Sequence, residues 1–149
     1  MSTVIHRRVE ECRAGRDPQT VCRVTSGWVV LGDAQFVRGY SLLLPDPVVA
    51  DLNQLDGAKR TAFLHDMSVV GDALLALTDA VRINYEILGN VDPALHAHVI
   101  PRYSYEPEAL RTRPVWFYDW AAAPRFDAAR DGPLLASLRG ELERRGVAA

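Results

Sequence analysis

The feature of this sequence that most constrains its fold is one long helical stripe of apolar residues in the middle of the chain. Its members recur at steps of four and three residues, as Phe63, Met67, Val70, Leu74 and Leu77. This spacing places them on one face of an α-helix of roughly six turns, for which Asp56 is a suitable N-cap. A helix with a single apolar face buries that face against a second layer, so we expect this one to pack on a sheet.

Strand patterns lie on both sides of this helix. Before it, Trp28–Leu31 ends at a Gly-Asp turn and Phe36–Leu44 stops at a proline, which predicts an antiparallel hairpin. After it, apolar and polar residues alternate over Val81–Ile87, and a further strand pattern covers Leu95–Arg102. The leucine spacing in residues 127–145 is typical of a surface helix. This order, with connections of hairpin length, predicts an α+β fold. We expect an antiparallel sheet of about five strands, with one long helix packed on it and a C-terminal helix.

Composition limits the classes of partner. The chain of 149 residues suits one domain, and 48% hydrophobic residues are enough for a core. A formal net charge of −2 and a pI near 6.1 argue against a polymeric nucleic acid as partner. No stretch approaches the roughly 20 apolar residues of a membrane span, so we expect a cytoplasmic protein without a membrane partner. Cys12 and Cys22 fit neither a compact metal clip nor a disulfide framework, and we expect both to be reduced.

The strand Leu95–Arg102 carries two histidines, His96 and His98, one residue apart. Alternate residues of a strand face the same way, so the two imidazoles share a face with Cα atoms roughly 6.5 Å apart. Leu95, Ala97 and Val99 face the core on the other side. The pair therefore has the geometry of a functional site.

Two kinds of chemistry suit such a pair. Imidazole binds zinc, copper, iron and nickel, but His6 and His65 lie far away in sequence and no third ligand is evident. Alternatively, one imidazole attacks phosphorus and the other protonates the leaving group. Gly89 and Asn90 favour the second alternative, because a glycine lets backbone N–H groups approach an anion and Asn adds an amide donor.

Several of these segments together resemble the histidine triad (HIT) superfamily of nucleotide hydrolases and transferases. The resemblance covers about Trp28 to Arg102 and rests on the run Gly39–Pro45, Asn84, the Gly89-Asn90 pair and Leu95–Arg102, in that order. The family motif is His-φ-His-φ-His-φ-φ, where φ is apolar. His96 matches its second histidine and His98 its third, whereas the first position is Ala94. Residues 13–20 are polar and rich in turn formers, so we expect an N-terminal arm over 1–20. With the resemblance, we expect a nucleotide-binding domain over 21–125, followed by a C-terminal helix of the same domain over 126–149.

The resemblance also implies roles for individual residues. His96 would be the nucleophile that forms a nucleotidyl-histidine, and His98 would assist the leaving group. Asn90, Gly89 and Asn84 would contact phosphate, and the carboxylate of Asp33 would accept hydrogen bonds from the ribose hydroxyls. No metal or other cofactor is implied.

Ala94 is the departure from the family that matters most. In the family the first histidine belongs to a relay that orients the nucleophile, and a methyl group neither donates nor accepts a hydrogen bond. The resemblance implies a hydrolase that cleaves at the α-phosphate of a dinucleoside polyphosphate or nucleotide conjugate. Ala94 leaves open a nucleotide-binding or sensing module with weak or no turnover, and the histidine pair leaves open a metal-dependent enzyme.

The expected partners are a small nucleotide, with a purine base, and a second copy of the chain in a homodimer. The aromatic segment from Trp116 to Trp120 is expected either to cap the pocket or an interface, or to pack under a surface loop.

Overall fold

The computed structural model describes residues 2–149. Its helices are α1 (Val4–Arg13), α2 (Gly57–Leu77), α3 (Glu108–Arg111) and α4 (Ala128–Arg144). Its strands are β1 (Thr20–Val24), β2 (Gly27–Leu31), β3 (Ser41–Pro45), β4 (Arg82–Glu86) and β5 (Ala97–Arg102). Three short 3-10 helices cover Leu52–Gln54, Val115–Phe117 and Trp120–Ala122.

The five strands form one antiparallel sheet in the order β1-β2-β3-β5-β4, which confirms the predicted α+β class. The central strands β3 and β5 are buried throughout, and β4 forms an edge. The register places Leu42 opposite His98 and Glu86 opposite His98 on its other side. His98 therefore lies on an interior strand of the sheet, whereas His96 lies just before it, because β5 begins at Ala97 and not at Leu95 as the sequence predicts.

The long helix α2 begins and packs as the sequence predicts. The carboxylate of Asp56 caps it by accepting a hydrogen bond from the backbone N–H of Lys59 at 2.9 Å. Its stripe buries Phe63, Val70 and Leu74 completely, against β3, β4 and β5. Helix α4 lies beside α2 on the same face of the sheet and adds its leucines to this core.

The opposite face of the sheet is covered by α1, within the interval expected to be an arm. Thr3 accepts a hydrogen bond from the backbone N–H of His6, and the His6 side chain accepts one from the N–H of Thr3, so the helix begins with a capping box. One side of α1 buries Ile5, Val9 and Cys12. Its partners are the side chains of Val30, Leu42, Leu44 and Ala94.

The second predicted strand is shorter than expected. Residues 36–39 turn instead of extending, and β3 begins only at Ser41. Gly39 has a φ of +90°, which a side chain rarely adopts, and the amide of Gln35 holds the turn. Its nitrogen donates to the carbonyls of Gly32 and Tyr40 at 2.9 Å each, and its oxygen accepts from the N–H of Gly39. This turn directs Tyr40 toward the histidines.

Candidate active site

A pocket of about 640 Å³ lies on the face of the sheet that α1 covers, a volume suited to a small-molecule ligand. Its floor includes Tyr40, Leu42 and His98. One wall is the N-terminal part of α1 and another is formed by Trp116 and Trp120. The lining also contains four other residues that the sequence predicts for the site, namely His96, Gly89, Asn90 and Asp33.

The backbone sets the tautomer that neutral His96 adopts. Its Nδ1 lies 2.7 Å from the carbonyl oxygen of Ala94, and a carbonyl only accepts hydrogen bonds. Nδ1 therefore carries the proton, and the lone pair is on Nε2. Among the described residues, no protein group hydrogen-bonds to Nε2. In its neutral form His96 thus directs the lone pair of Nε2 to the pocket, which it lines.

His98 is held differently, in a buried position with 8% of its surface exposed. The hydroxyl of Tyr40 lies 2.7 Å from its Nδ1, and the His96 and His98 rings are 5.0 Å apart between centroids. Burial, together with the positive charge that His96 carries when it is protonated, lowers the pKa of His98 to about 4. His98 is therefore neutral at pH 7. Burial likewise raises the pKa of Tyr40 well above its usual value, so its hydroxyl keeps its proton.

The side chain at position 94 lies outside this hydrogen-bonding arrangement. The Ala94 methyl group is fully buried in the apolar cluster between α1 and the sheet, where Ile5, Val9 and Leu42 are its companions. The carbonyl of the same residue orients His96. The substitution in the motif thus removes a side chain but leaves the backbone acceptor in place.

The loop with Gly89 and Asn90 forms one rim of the pocket. Gly89 has a φ of +69°, and Asn90 is exposed. Asp92 ties this loop to α1 by accepting a hydrogen bond from the backbone N–H of Ile5 at 3.2 Å. The loop and the N-terminal end of α1 therefore meet at the pocket.

Asp33 lies at the opposite end of the pocket, just after β2. Its carboxylate is exposed, accepts a hydrogen bond from the Gln19 amide at 2.8 Å and lies 3.6 Å from the guanidinium of Arg8. Arg8, which also lines the pocket, is held by Asp17 and by the carbonyl of Leu31. The expected ribose-binding position is thus open to a ligand.

Asn84 is the predicted site residue that the structure does not bring into the pocket. It lies on β4 opposite Ile100, and its side-chain oxygen accepts a hydrogen bond from Arg102 at 2.9 Å. Its predicted contact with phosphate stays a prediction.

The aromatic segment forms a wall of the pocket in this structure. The rings of Trp116 and Trp120 stack with centroids 5.0 Å apart, and the Trp116 ring meets His98 edge-on at 5.2 Å. The indole N–H of Trp116 donates to the carboxylate of Glu86, the residue opposite His98 on β4. Sequence reasoning gave no site role to Tyr40 or Glu86, although Tyr40 lies two residues before Leu42 on the site face and Glu86 continues the β4 alternation.

Within residues 2–149, no group of three or more His, Cys, Asp or Glu side chains is placed to hold a metal ion. No helix in the described part of the chain is long and apolar enough to span a membrane. Both cysteines are free thiols in the structure.

The fold and the histidine pair define a class of protein, and solved structures identify its fold. The chain is similar to a histidine triad protein from Bradyrhizobium japonicum, with 24% identity over 95% of this chain and 98% of that one and a TM-score of 0.73. It is also similar to a histidine triad protein from Marinobacter aquaeolei, with 20% identity, coverage of 97% and 98% and a TM-score of 0.74. A zinc-bound histidine triad family protein from Mycobacterium smegmatis gives 19% identity, coverage of 89% and 91% and a TM-score of 0.63.

No protein-family model matches the chain, and no curated protein matches it either. The chain has the histidine triad fold.

Proposed function

We propose that this chain is a nucleotide hydrolase of the histidine triad superfamily that cleaves at the α-phosphate of a dinucleoside polyphosphate or nucleotide conjugate. The observation that carries the proposal is the hydrogen bond from His96 Nδ1 to the Ala94 carbonyl. It leaves Nε2 as a nucleophile directed by the backbone, independent of the side chain at position 94. The histidine triad fold supports the same assignment.

In the proposed reaction, Nε2 of His96 forms a bond to the α-phosphorus, and the bond from phosphorus to the bridging oxygen breaks. The leaving group departs with that electron pair. His96 then carries a nucleotidyl group and a positive charge, which the Ala94 carbonyl stabilises through the Nδ1–H. Water attacks the phosphorus, loses a proton to solvent and releases the nucleoside monophosphate and neutral His96.

His98 acts in this scheme as a hydrogen-bond donor, because its lowered pKa leaves it neutral at pH 7. Among the described residues, the Tyr40 hydroxyl has no acceptor other than Nδ1 of His98, so we infer that it donates there. Nε2 of His98 then carries the proton and donates to an oxygen of the phosphate chain. A phosphate leaving group of low basicity needs no full proton transfer.

The remaining roles follow the lining of the pocket. Gly89 and Asn90 would bind phosphate oxygens, and Asp33 would accept hydrogen bonds from the ribose hydroxyls. The ligand is a small nucleotide, and the apolar part of the lining around Val4, Ile5 and Leu42 suits a purine base.

A second candidate function is a nucleotide-binding or sensing module with little turnover. It is favoured by Ala94, whose methyl group cannot take part in a relay. Calorimetry with AMP and ATP separates the two functions, because a module binds without hydrolysis.

Intact-mass spectrometry tests the enzymatic proposal. The protein is mixed briefly with a diadenosine polyphosphate and quenched in denaturant at alkaline pH, because acid hydrolyses a phosphorus–nitrogen bond. We expect a nucleotidyl adduct in the parent or in His98→Gln, and loss of both adduct and turnover in His96→Ala. His65→Ala, which removes an exposed histidine of α2, is the matched control. Unchanged turnover in His96→Ala, or no adduct and no turnover at all in the parent, would contradict the proposal.

A further inference from the structure

The Trp116–Trp120 wall is held over His98 by a segment with little regular structure. Residues 103–126 contain only α3 and two short 3-10 helices. Trp116 itself is 40% exposed, so burial of its own ring does not fix its position. The hydrogen bonds that fix this segment converge on one buried side chain, Arg102, at the end of β5.

Arg102 uses all five of its N–H groups. Its Nε and Nη2 groups each donate to the carboxylate of Glu106. Nη2 also donates to the carbonyl of Leu110 at 3.0 Å. Its Nη1 donates to Asn84 at 2.9 Å and to the carbonyl of Arg113 at 2.6 Å. The guanidinium therefore joins β4, β5 and both ends of α3.

Glu106 extends these contacts toward the wall. It accepts hydrogen bonds from the backbone N–H of Tyr103 at 2.7 Å and from the hydroxyl of Tyr118 at 2.6 Å. Burial opposes its charge, but the hydrogen bonds from Arg102 and Tyr118 outweigh burial and hold the pKa of Glu106 below its usual value. Tyr118 lies between Trp116 and Trp120 in sequence, so the hydrogen bond from its hydroxyl to Glu106 also restrains the wall.

The cluster is also connected to the histidines through the sheet. His98, Ile100 and Arg102 alternate along β5 and share a face. Ile100 packs in one apolar cluster with Tyr40, Val115, Tyr118 and Trp120. A continuous series of side-chain contacts thus leads from the buried ion pair of Arg102 and Glu106 to His98 and Tyr40.

A purely stabilising role does not account for this arrangement. Removing a guanidinium and a carboxylate from water is costly, and a buried ion pair of this kind commonly adds little net stability compared with apolar side chains. A guanidinium whose N–H groups all donate hydrogen bonds instead fixes the relative positions of the groups that accept them, because its donors point in fixed directions.

We propose that Arg102, Glu106 and Asn84 are positioning residues that hold the Trp116–Trp120 wall against His98. The proposal rests on the proposed function for its effect on catalysis. With the wall in place, water is excluded from His98, and its N–H donates to the phosphate in a medium of low polarity. The wall then acts on kcat, whereas nucleotide affinity depends on the rest of the pocket.

Three substitutions test this role without removing the buried charges. Tyr118→Phe removes the hydroxyl that holds Glu106, and Asn84→Leu removes an acceptor from Arg102. Asn84→Asp keeps an oxygen at the same place and is the rescue variant. Tyr105→Phe is the matched control, because Tyr105 belongs to the same segment but is 68% exposed. All are made in a Trp28→Phe background, so that only Trp116 and Trp120 fluoresce.

The readouts are acrylamide quenching of tryptophan fluorescence, the pKa of His98 by NMR, and kcat and KM on a diadenosine polyphosphate. The titratable groups around His98 are His96, Tyr40 and Glu86, and none of them is changed. We expect Tyr118→Phe and Asn84→Leu to increase quenching about twofold and to raise the pKa of His98 toward its ordinary value. We expect kcat to fall about tenfold with KM within about twofold. Asn84→Asp and Tyr105→Phe should resemble the parent.

The outcomes separate this proposal from the proposed function. If the folded Tyr118→Phe and Asn84→Leu proteins keep the parent's quenching and His98 pKa, the positioning role is wrong. If Asn84→Leu weakens AMP binding while the wall is unmoved, Asn84 contacts phosphate and the role is again wrong. If quenching and the His98 pKa change as expected in Tyr118→Phe and Asn84→Leu, but the parent has no turnover, the positioning role stands and the hydrolase proposal fails.

Discussion

At the scale of single residues, the structure divides the role of a motif position between backbone and side chain. The Ala94 carbonyl directs His96, while the Ala94 methyl group belongs to an apolar cluster. The two imidazoles also differ in environment. His96 is partly exposed, whereas His98 is buried under Trp116 and hydrogen-bonded to Tyr40. The two imidazoles, although chemically identical, thus have different hydrogen-bond partners and different exposure.

The buried state of His98 predicts how stability depends on pH. Its pKa is about 4 in the folded protein and near 6.5 when unfolded, so the unfolded chain binds the proton first. The free energy of unfolding is therefore unaffected by His98 above pH 6.5 and falls as the pH drops through 6.5 toward 4. The full loss is about 3 kcal/mol. Urea denaturation at pH 7, 6, 5 and 4.5 measures it.

His98→Gln is the comparison for this measurement, and we expect its stability to change less over the same range. Asp46 does not confuse the result. The hydrogen bond from Arg13 outweighs its burial and, with help from Trp28, lowers its pKa to about 2, so it titrates below this window. Equal slopes for the parent and His98→Gln would show that His98 has the same pKa in the folded and unfolded states.

At the scale of elements, helix α1 shapes the pocket and packs in the cluster that contains Ala94. It lies on the side chain of Ala94, closes one side of the pocket and brings Arg8 to the lining. A histidine at position 94 would have to occupy space that Ile5, Val9 and Leu42 fill. We infer that the departure from the triad motif and the packing of α1 are two parts of one arrangement.

This predicts that restoring the histidine harms the protein. Ala94→His puts a larger, polar side chain into a close-packed cluster, and we expect the free energy of unfolding to fall by roughly 1 to 3 kcal/mol. Turnover should not rise. Urea denaturation and steady-state kinetics check both statements.

Ala129→His, on the exposed side of α4, is the matched control for Ala94→His, and we expect it to stay within about 0.5 kcal/mol of the parent. An Ala94→His protein as stable as the parent and faster in turnover would mean that α1 leaves room for a triad.

At the scale of the whole molecule, the sheet separates a packing face from a site face. α2 and α4 cover one face with the main core, and α1 with the aromatic segment covers the other and leaves the pocket between them. The edge strand β4 exposes Tyr85, and Val81 next to it is 66% exposed. This edge is the place where we expect a second copy of the chain to bind.

The dimer is tested by sedimentation velocity. We expect the parent to sediment with twice the 16.5 kDa mass of the chain, and Val81→Glu to shift toward the monomer because it places a charge at the edge. Ala129→Glu, far from this edge in sequence and exposed on α4, should leave the mass unchanged. A monomeric parent at micromolar concentration would refute the expectation.

The elements that the sequence predicts best are those whose pattern is long. The apolar stripe of α2 and the alternation of apolar and polar residues around β4 each extend over enough residues to predict a helix and a strand. α1 is ten residues long and rich in charge, and its stripe of Ile5, Val9 and Cys12 is short, so the sequence pattern predicts only an arm over residues 1–20. The Thr3 cap and this stripe are the signals that could have identified it.

The residues of the site likewise divide into those that the sequence predicts and those that it does not. His96, His98, Gly89 and Asn90 are close in sequence, and local strand and loop geometry brings them together. Tyr40 lies 58 residues from its partner His98, and Glu86 lies 30 residues from its partner Trp116. Such pairs depend on which strands become neighbours, and a single sequence has no period or spacing that reveals this.

The sequence by itself determined the class of fold and the strand that carries the two histidines, because hydrophobic periodicity is a local property of the chain. Only the tertiary structure decided what stands around them. The strand order set Glu86 and Leu42 beside His98, the packing of α1 buried the methyl group of Ala94, and hydrogen bonds joined Arg102 to the segment that precedes Trp116. Burial and long-range hydrogen bonds arise only when distant segments meet, and it is such burial that lowers the pKa of His98.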